Sequence, residues 1–260
     1  MRSILFLVLG IFLLGGAGNA LGATVGDWAQ VEIRAGDGRP LPLYPASSTS
    51  FHKKVYAEAV KGSEYTVWIR NLLSRRVGIV VAVDGRNIIS GKKSWLKNHE
   101  RMYILGPHEN CEYRGWRTGT DRVNRFYFTD AGDSYAAAFG DSSALGVIAV
   151  AVYPEMLRQE TSPPAAGLSR DRFGAATQAP KAAPSGRALE SAGTGFGHEE
   201  YSPVRIVAFE PEARAIETVL IKYEWRATLS QLGIIPRERP QLPPNRLWDE
   251  GFAPPPPRRG

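Results

Sequence analysis

The chain carries a single cysteine, Cys111, among 260 residues. It therefore has no intrachain disulfide and is not a disulfide-stapled scaffold. It holds only four histidines. No H-E-x-x-H, no cysteine pair and no G-x-S-x-G occurs, so neither a zinc-protease frame nor a nucleophile elbow is spelled out. No glycine repeat of collagen type and no heptad series is present. Past residue 23 no stretch approaches the ~18 apolar residues that would cross a bilayer as a helix, so no transmembrane segment is expected in the mature chain. Between Val55 and Tyr153 no amphipathic helical period of useful length interrupts the pattern. No motif names a reaction.

What is abundant is punctuation: 27 Gly and 19 Pro, with 43% hydrophobic and 22% charged residues. Such a composition buries a core and suits a turn-rich β protein with irregular stretches. Residues 1–23 have the layout of a secretory signal peptide. Arg2 supplies the positive charge, Ile4 to Leu14 the apolar run, and Gly18-Asn19-Ala20 or Ala20-Leu21-Gly22 the small-residue cut. The expectation is export, to the periplasm or to the cell surface and medium. An unpaired cysteine there is a buried thiol, an intermolecular bridge or a reactive thiol, and Glu112 beside Cys111 disfavours the thiolate and favours the inert reading.

The net charge is +6. Most of it sits in residues 51–155, where 15 Lys and Arg face 11 Asp and Glu. Lys92, Lys93, Lys97 and Arg101 are its densest run. This mild excess suits an anionic surface component better than nucleic acid, for which no motif is present. A solvated loop carries such a run equally well.

The strand pattern is strong. Residues 28–34 alternate before Gly36-Asp37-Gly38, and the prolines around Leu41 to Tyr44 allow an edge strand at most. VYAEAV, EYTVWIRNL, VGIVVAV, RMYILG, CEYRGW, NRFYFT and GVIAVAVY follow. Tyr65, Val67 and Ile69 alternate onto one face, and VGIVVAV is apolar on both faces, as in a central strand. Asp84-Gly85 is a two-residue hairpin turn with Arg86–Ser90 returning. The prediction is an all-β, antiparallel β-sandwich over residues 28–156. Residues 157–201, rich in Ala, Pro, Gly and Ser, read as a flexible linker, a long disordered excursion. VRIVAFE and ETVLIKYEWR, within residues 202–235, read as a hairpin completing the sheet. A short helix spans 227–232 and stops at Gly233. Residues 236–260 form a Pro-rich tail.

One order of residues recurs elsewhere: Val83-Asp84-Gly85-Arg86-Asn87, Gly115-Trp116-Arg117, Asp133-Ser134-Tyr135-Ala136 and Gly146-Val147-Ile148-Ala149-Val150-Ala151-Val152. Over residues 53–155 the chain resembles a group of uncharacterised bacterial proteins sharing a VDGxN … GWR … DSYA … GVIxVAV series. The resemblance implies a β-rich domain and supplies no activity.

Five residues are candidates for ligand contact: Arg86, Lys92, Lys93, Trp116 and Arg117. Trp116-Arg117 sets a guanidinium beside an indole, which can clamp an anion or stack on a sugar; the same pair serves as a core tryptophan with a corner arginine. Asp84 and Arg86 can face a ligand or simply build the turn. His99-Glu100 and His108-Glu109 are a weaker alternative for metal, though both lie in polar loop sequence. Asp133-Ser134-Tyr135 lacks a histidine in a recognisable frame. These residues favour an exported, non-enzymatic binding or envelope-interaction protein without a cofactor, whose partner is an envelope protein or an anionic surface component. The alternatives are an envelope hydrolase or metal-dependent enzyme, and a structural subunit of a surface assembly.

Overall fold

A computed structural model of the chain describes residues 22–157 and 191–236. Fourteen strands account for over two-fifths of them. They are β1 (Ala29–Ala35), β2 (Leu43–Pro45), β3 (His52–Ala59), β4 (Glu64–Asn71), β5 (Val77–Val83), β6 (Arg86–Asn87) and β7 (Tyr103–Leu105). The rest are β8 (Asn110–Tyr113), β9 (Gly115–Arg117), β10 (Arg122–Asp130), β11 (Val147–Pro154), β12 (Ala192–Thr194), β13 (Glu199–Tyr201) and β14 (Glu217–Trp225). One α-helix, α1 (Arg226–Gln231), follows. No helix among the described residues is long and apolar enough to cross a membrane.

The strands make two sheets. The first runs β1-β4-β10-β12, with β8 beside β4 and with β9 and β13 beside β10. The second runs β2-β3-β14-β11-β5-β6, with β7 beside β5. Every pairing is antiparallel except β14 with β3. The sheets close on one apolar cluster that draws Val31, Ile33, Tyr65, Ile69 and Phe126 from the first and Val55, Val81, Val150, Ile221 and Tyr223 from the second. This is the expected sandwich, and the alternating set Tyr65, Val67 and Ile69 is buried as its period requires. β2, with its prolines, lies on a sheet edge as expected.

β5 is buried along its whole length. Val77, Ile79, Val81 and Val83 face the central core. Val80 faces outward into a smaller cluster with Ala151 and Tyr153, against which Leu96, Met102 and Ala215 pack. The outer cover explains why both faces of this strand are apolar.

Two sequence expectations change. VRIVAFE does not form a strand, so there is no hairpin at 204–226. β14 stands between β3 and β11, so both of its edges are already paired. Residues 204–210 instead run from Thr120, whose carbonyl accepts the Val204 N–H, to the outer side of β5, where Arg76 donates to Ala208 O. Phe209 lies under the Arg76 guanidinium and against Gly78, where a Cβ would come within 2.7 Å of its ring. The second change concerns the assigned linker. Its last residues, 192–201, form β12 and β13 on β10. Arg114 and Arg125 both hold Glu200, at 2.7 Å each. Gly193, Gly195 and Gly197 let this return lie flat: a Cβ on each would meet Ser134, Tyr127 and the Arg125 carbonyl, at 2.7, 2.1 and 2.7 Å.

Of the assigned signal segment only Gly22 and Ala23 are described, and the Gly22 carbonyl accepts the Leu43 N–H. The remainder of that segment, residues 158–190 of the linker and residues 237–260 of the tail lie outside the described residues.

Candidate functional site

The site begins at the β5–β6 turn. Asp84 and Gly85 take positive φ, 49° and 77°, as a two-residue hairpin turn requires. Asp84 does more than turn the chain. Its carboxylate is fully buried and accepts Tyr223 Oη at 2.6 Å, Thr194 N at 2.7 Å and Gly146 N at 2.8 Å. Thr194 Oγ1 lies 2.7 Å from both Tyr223 Oη and Tyr65 Oη. Burial pushes the Asp84 carboxyl above its usual range, against the pull of these donors and of Lys222. This network ties the turn to β12, β14 and the entry of β11, so it fixes the platform from which Arg86 projects.

The next loop is equally organised. Asn87 Oδ1 accepts Ile89 N and Ser90 N, and its amide donates to Arg101 O at 2.8 Å. Glu100 accepts Ser94 Oγ, Trp95 N and Lys97 N. Although burial pushes its carboxyl up, these bonds and that of Asn87 hold it below the usual value. Loop 90–100, which carries Lys92, Lys93 and Trp95, is therefore pinned from within.

Beside it an aromatic stack climbs from core to surface. Trp116 is buried, donates Nε1–H to Gly195 O at 3.0 Å and meets Phe126 edge-on. Tyr135 covers Trp116 at 4.3 Å between centroids. Phe196 stacks on Tyr135 at 5.4 Å and 16°, and Phe139 meets Tyr135 at 5.0 Å and 67°. Phe139 is 57% and Phe196 44% exposed. The Arg86 guanidinium sits 4.1 Å over the Phe139 ring and donates to Gly91 O at 2.7 Å, while its buried Nε–H has no acceptor among the described residues. Lys93 lies 3.7 Å from Asp141 and 5.3 Å from the ring of Trp95, itself 69% exposed. Asp141, hydrogen-bonded by Ser143 and near Lys93 and Arg86, stays below the usual carboxylate range. Lys92 is exposed on the same loop.

The structure thus brings Arg86, Lys92 and Lys93 together with Tyr135, Phe139, Phe196 and Trp95 on one face. Trp116 is the floor of this face rather than its surface. Arg117 points away: it donates to Tyr103 Oη at 2.7 Å, to Gly119 O at 3.2 Å and to Ser202 O and Oγ at 2.8 and 3.1 Å. Its guanidinium is committed to the loop ends, as a corner arginine is. Phe139 and Phe196 were not among the sequence candidates. The sign in the sequence was Gly-Thr-Gly-Phe-Gly at 193–197, an aromatic between alternating glycines, lost within a stretch of low-complexity composition.

The remaining candidates sit apart. His99 and His108 are exposed on separate loops, His108 at a positive φ of 58°. No group of three or more His, Cys, Asp or Glu among the described residues could hold a metal ion. Ser134 is buried and closes the 3-10 turns at 131–139, donating to Ala131 O and accepting Ala137 N. Cys111 is half-buried, and burial pushes its thiol up. Native Cys111 is expected to react with a disulfide reagent near neutral pH at least about tenfold more slowly than in urea-unfolded chain, as thiolate reactivity dictates; equal rates would mean an open thiol.

No curated protein and no solved structure matches the chain. One family does match, over residues 29–238, a stretch that takes in both sheets and the whole aromatic and basic face. The chain belongs to that family, DUF7918, a domain of unknown function.

Proposed function

We propose that this protein is an exported, non-enzymatic binding protein that holds an anionic component of the cell envelope on the face formed by Arg86, Lys92, Lys93, Tyr135, Phe139 and Phe196. The observation that carries the reading is the surface stack itself: exposed rings backed by a buried tryptophan, with cations on a loop locked by Asn87 and Glu100. Exposed aromatics held rigid beside positive charge are costly to keep in water and are a common form of binding surface. Export rests on the layout of residues 1–23. Cleavage after Ala20 would leave Gly22 and Val25, both bonded into the fold, in place.

The test follows the full chain in its host. Fractionation and intact mass should find a form beginning near Leu21 outside the cytoplasm. That form should bind isolated envelopes and come off with salt, since exposed charge pairs are screened. Lys92→Glu with Lys93→Glu should weaken envelope binding by about tenfold or more, because two attractions become repulsions. A cytoplasmic chain retaining residues 1–20 would sink the export half. Unchanged envelope binding by the double variant would sink the binding face.

One observation favours a second reading, a subunit of a surface assembly. Residues 204–210, rich in β-formers, pair with no strand among the described residues, and Ile206 is 93% exposed. Sedimentation across a range of concentrations decides it: a self-associating wild type made monomeric by Ile206→Lys supports the assembly, and a monomer throughout rejects it.

A further inference from the structure

We infer that the ligand of this face is an acidic oligosaccharide, a run of sugar rings carrying about one carboxylate each. The inference rests on the binding face proposed above and names its ligand class. Three features point there together. The rings of Phe196 and Tyr135 lie parallel, 5.4 Å apart, and Phe196 offers its free face to solvent. A flat apolar face of this size takes the C–H face of a pyranose. A second exposed ring, Trp95, carries the Lys93 ammonium 5.3 Å from its centre, so an exposed ring and a cation are seated together. A sugar ring that bears a carboxylate presents the complementary pair, an apolar face beside an anion.

The charge is sparse, and that bears on the class. Lys93 and Arg86 are opposed by Asp141, which lies 3.7 Å from Lys93 and near Arg86. A polyphosphate backbone draws its affinity from many neutralised phosphates, and a carboxylate beside the cations opposes it. The same carboxylate suits a sugar, because hydroxyl groups donate to it. Lys93 and Lys92 then take the acid groups, and a neutral hydroxyl near Asp141 meets no repulsion. Single-stranded nucleic acid, which also stacks its bases on aromatics, is the competing polyanion.

The experiment uses the mature chain and three probes: tetragalacturonate, its neutral methyl ester and oligothymidylate. Calorimetry at about 0.15 M salt keeps distant charge effects small. Tetragalacturonate is expected to bind, and the methyl ester to bind about tenfold more weakly. Phe196→Ala and Lys93→Ala should each reduce tetragalacturonate binding about tenfold, with circular dichroism unchanged, while Lys54→Ala, on β3 and four strands away from β6 in the second sheet, changes nothing. Equal binding of the ester would overturn the acidic requirement. Tighter binding of oligothymidylate would overturn the sugar class. No binding by any probe, with envelope binding still lost in the Lys92/Lys93 variant, would overturn the acidic sugar alone; if that variant also binds envelopes normally, the face itself is wrong.

Discussion

Replacing Asp84 with alanine is expected to cost about 3–5 kcal/mol, a large part of the stability of a domain of this kind. The change strips one acceptor from three buried donors: Tyr223 Oη, Thr194 N and Gly146 N. Each stranded donor costs about 1–3 kcal/mol, softened where water or a neighbouring group reaches it. Alanine also inherits a φ of 49°, which disfavours residues other than Gly, Asn and Asp. Urea unfolding of the wild type and the variant measures the loss. A difference below about 1 kcal/mol would mean that the network contributes little beyond ordinary solvation.

The same carboxyl gives a signed pH dependence. Its value in the fold is raised by burial above that of the unfolded chain. The stabilisation from this group is therefore complete below about pH 4 and is lost as pH rises through the folded value. Asp84→Asn removes the titration and keeps one acceptor oxygen, although its amide faces Thr194 N. Between about pH 4 and pH 8 wild-type stability should fall relative to that variant, whatever constant offset the amide introduces. A rising difference would mean that the donors outweigh burial.

The sandwich was legible in the sequence because its signals are local. Period-two burial at Tyr65, Val67 and Ile69, the double-faced VGIVVAV and the Asp84-Gly85 turn each depend on a handful of neighbouring residues. What escaped was set by distance. Asp84 reads as a turn former, and it is one; its partners Thr194 and Tyr223 lie 110 and 139 residues away. VRIVAFE has the propensity of a strand, but the edges of β14 it would have needed are taken. The return at 192–201 has the composition of a linker because small residues are what its close approach to Tyr127 and Ser134 demands. Composition alone does not separate glycine used for freedom from glycine used for fit. The candidate site divides in the same way. Arg86, Lys92 and Lys93 follow from loop position and charge, whereas Phe139 and Phe196 join them only through tertiary packing on Tyr135.

Trp116→Ala is expected to destabilise the protein by about 3–5 kcal/mol, the usual range for emptying a buried tryptophan site. The variant loses the edge-on contact with Phe126 and the donor to Gly195 O, and it leaves Tyr135 over a void. Because Phe196 and Phe139 rest on Tyr135, stability and the exposed platform should fail together. Trp116→Phe separates the two effects. It keeps a ring beneath Tyr135 and strands only the Gly195 carbonyl, which costs about 1–2 kcal/mol. It should bind as the wild type does, since Trp116 never reaches the ligand. Phe196→Ala should show the converse, near-native stability with binding weakened about tenfold. Urea melts and ligand titrations on the three variants make the assignment: if Trp116→Phe loses binding while Phe196→Ala keeps it, the indole touches the ligand and the order of floor and surface is reversed.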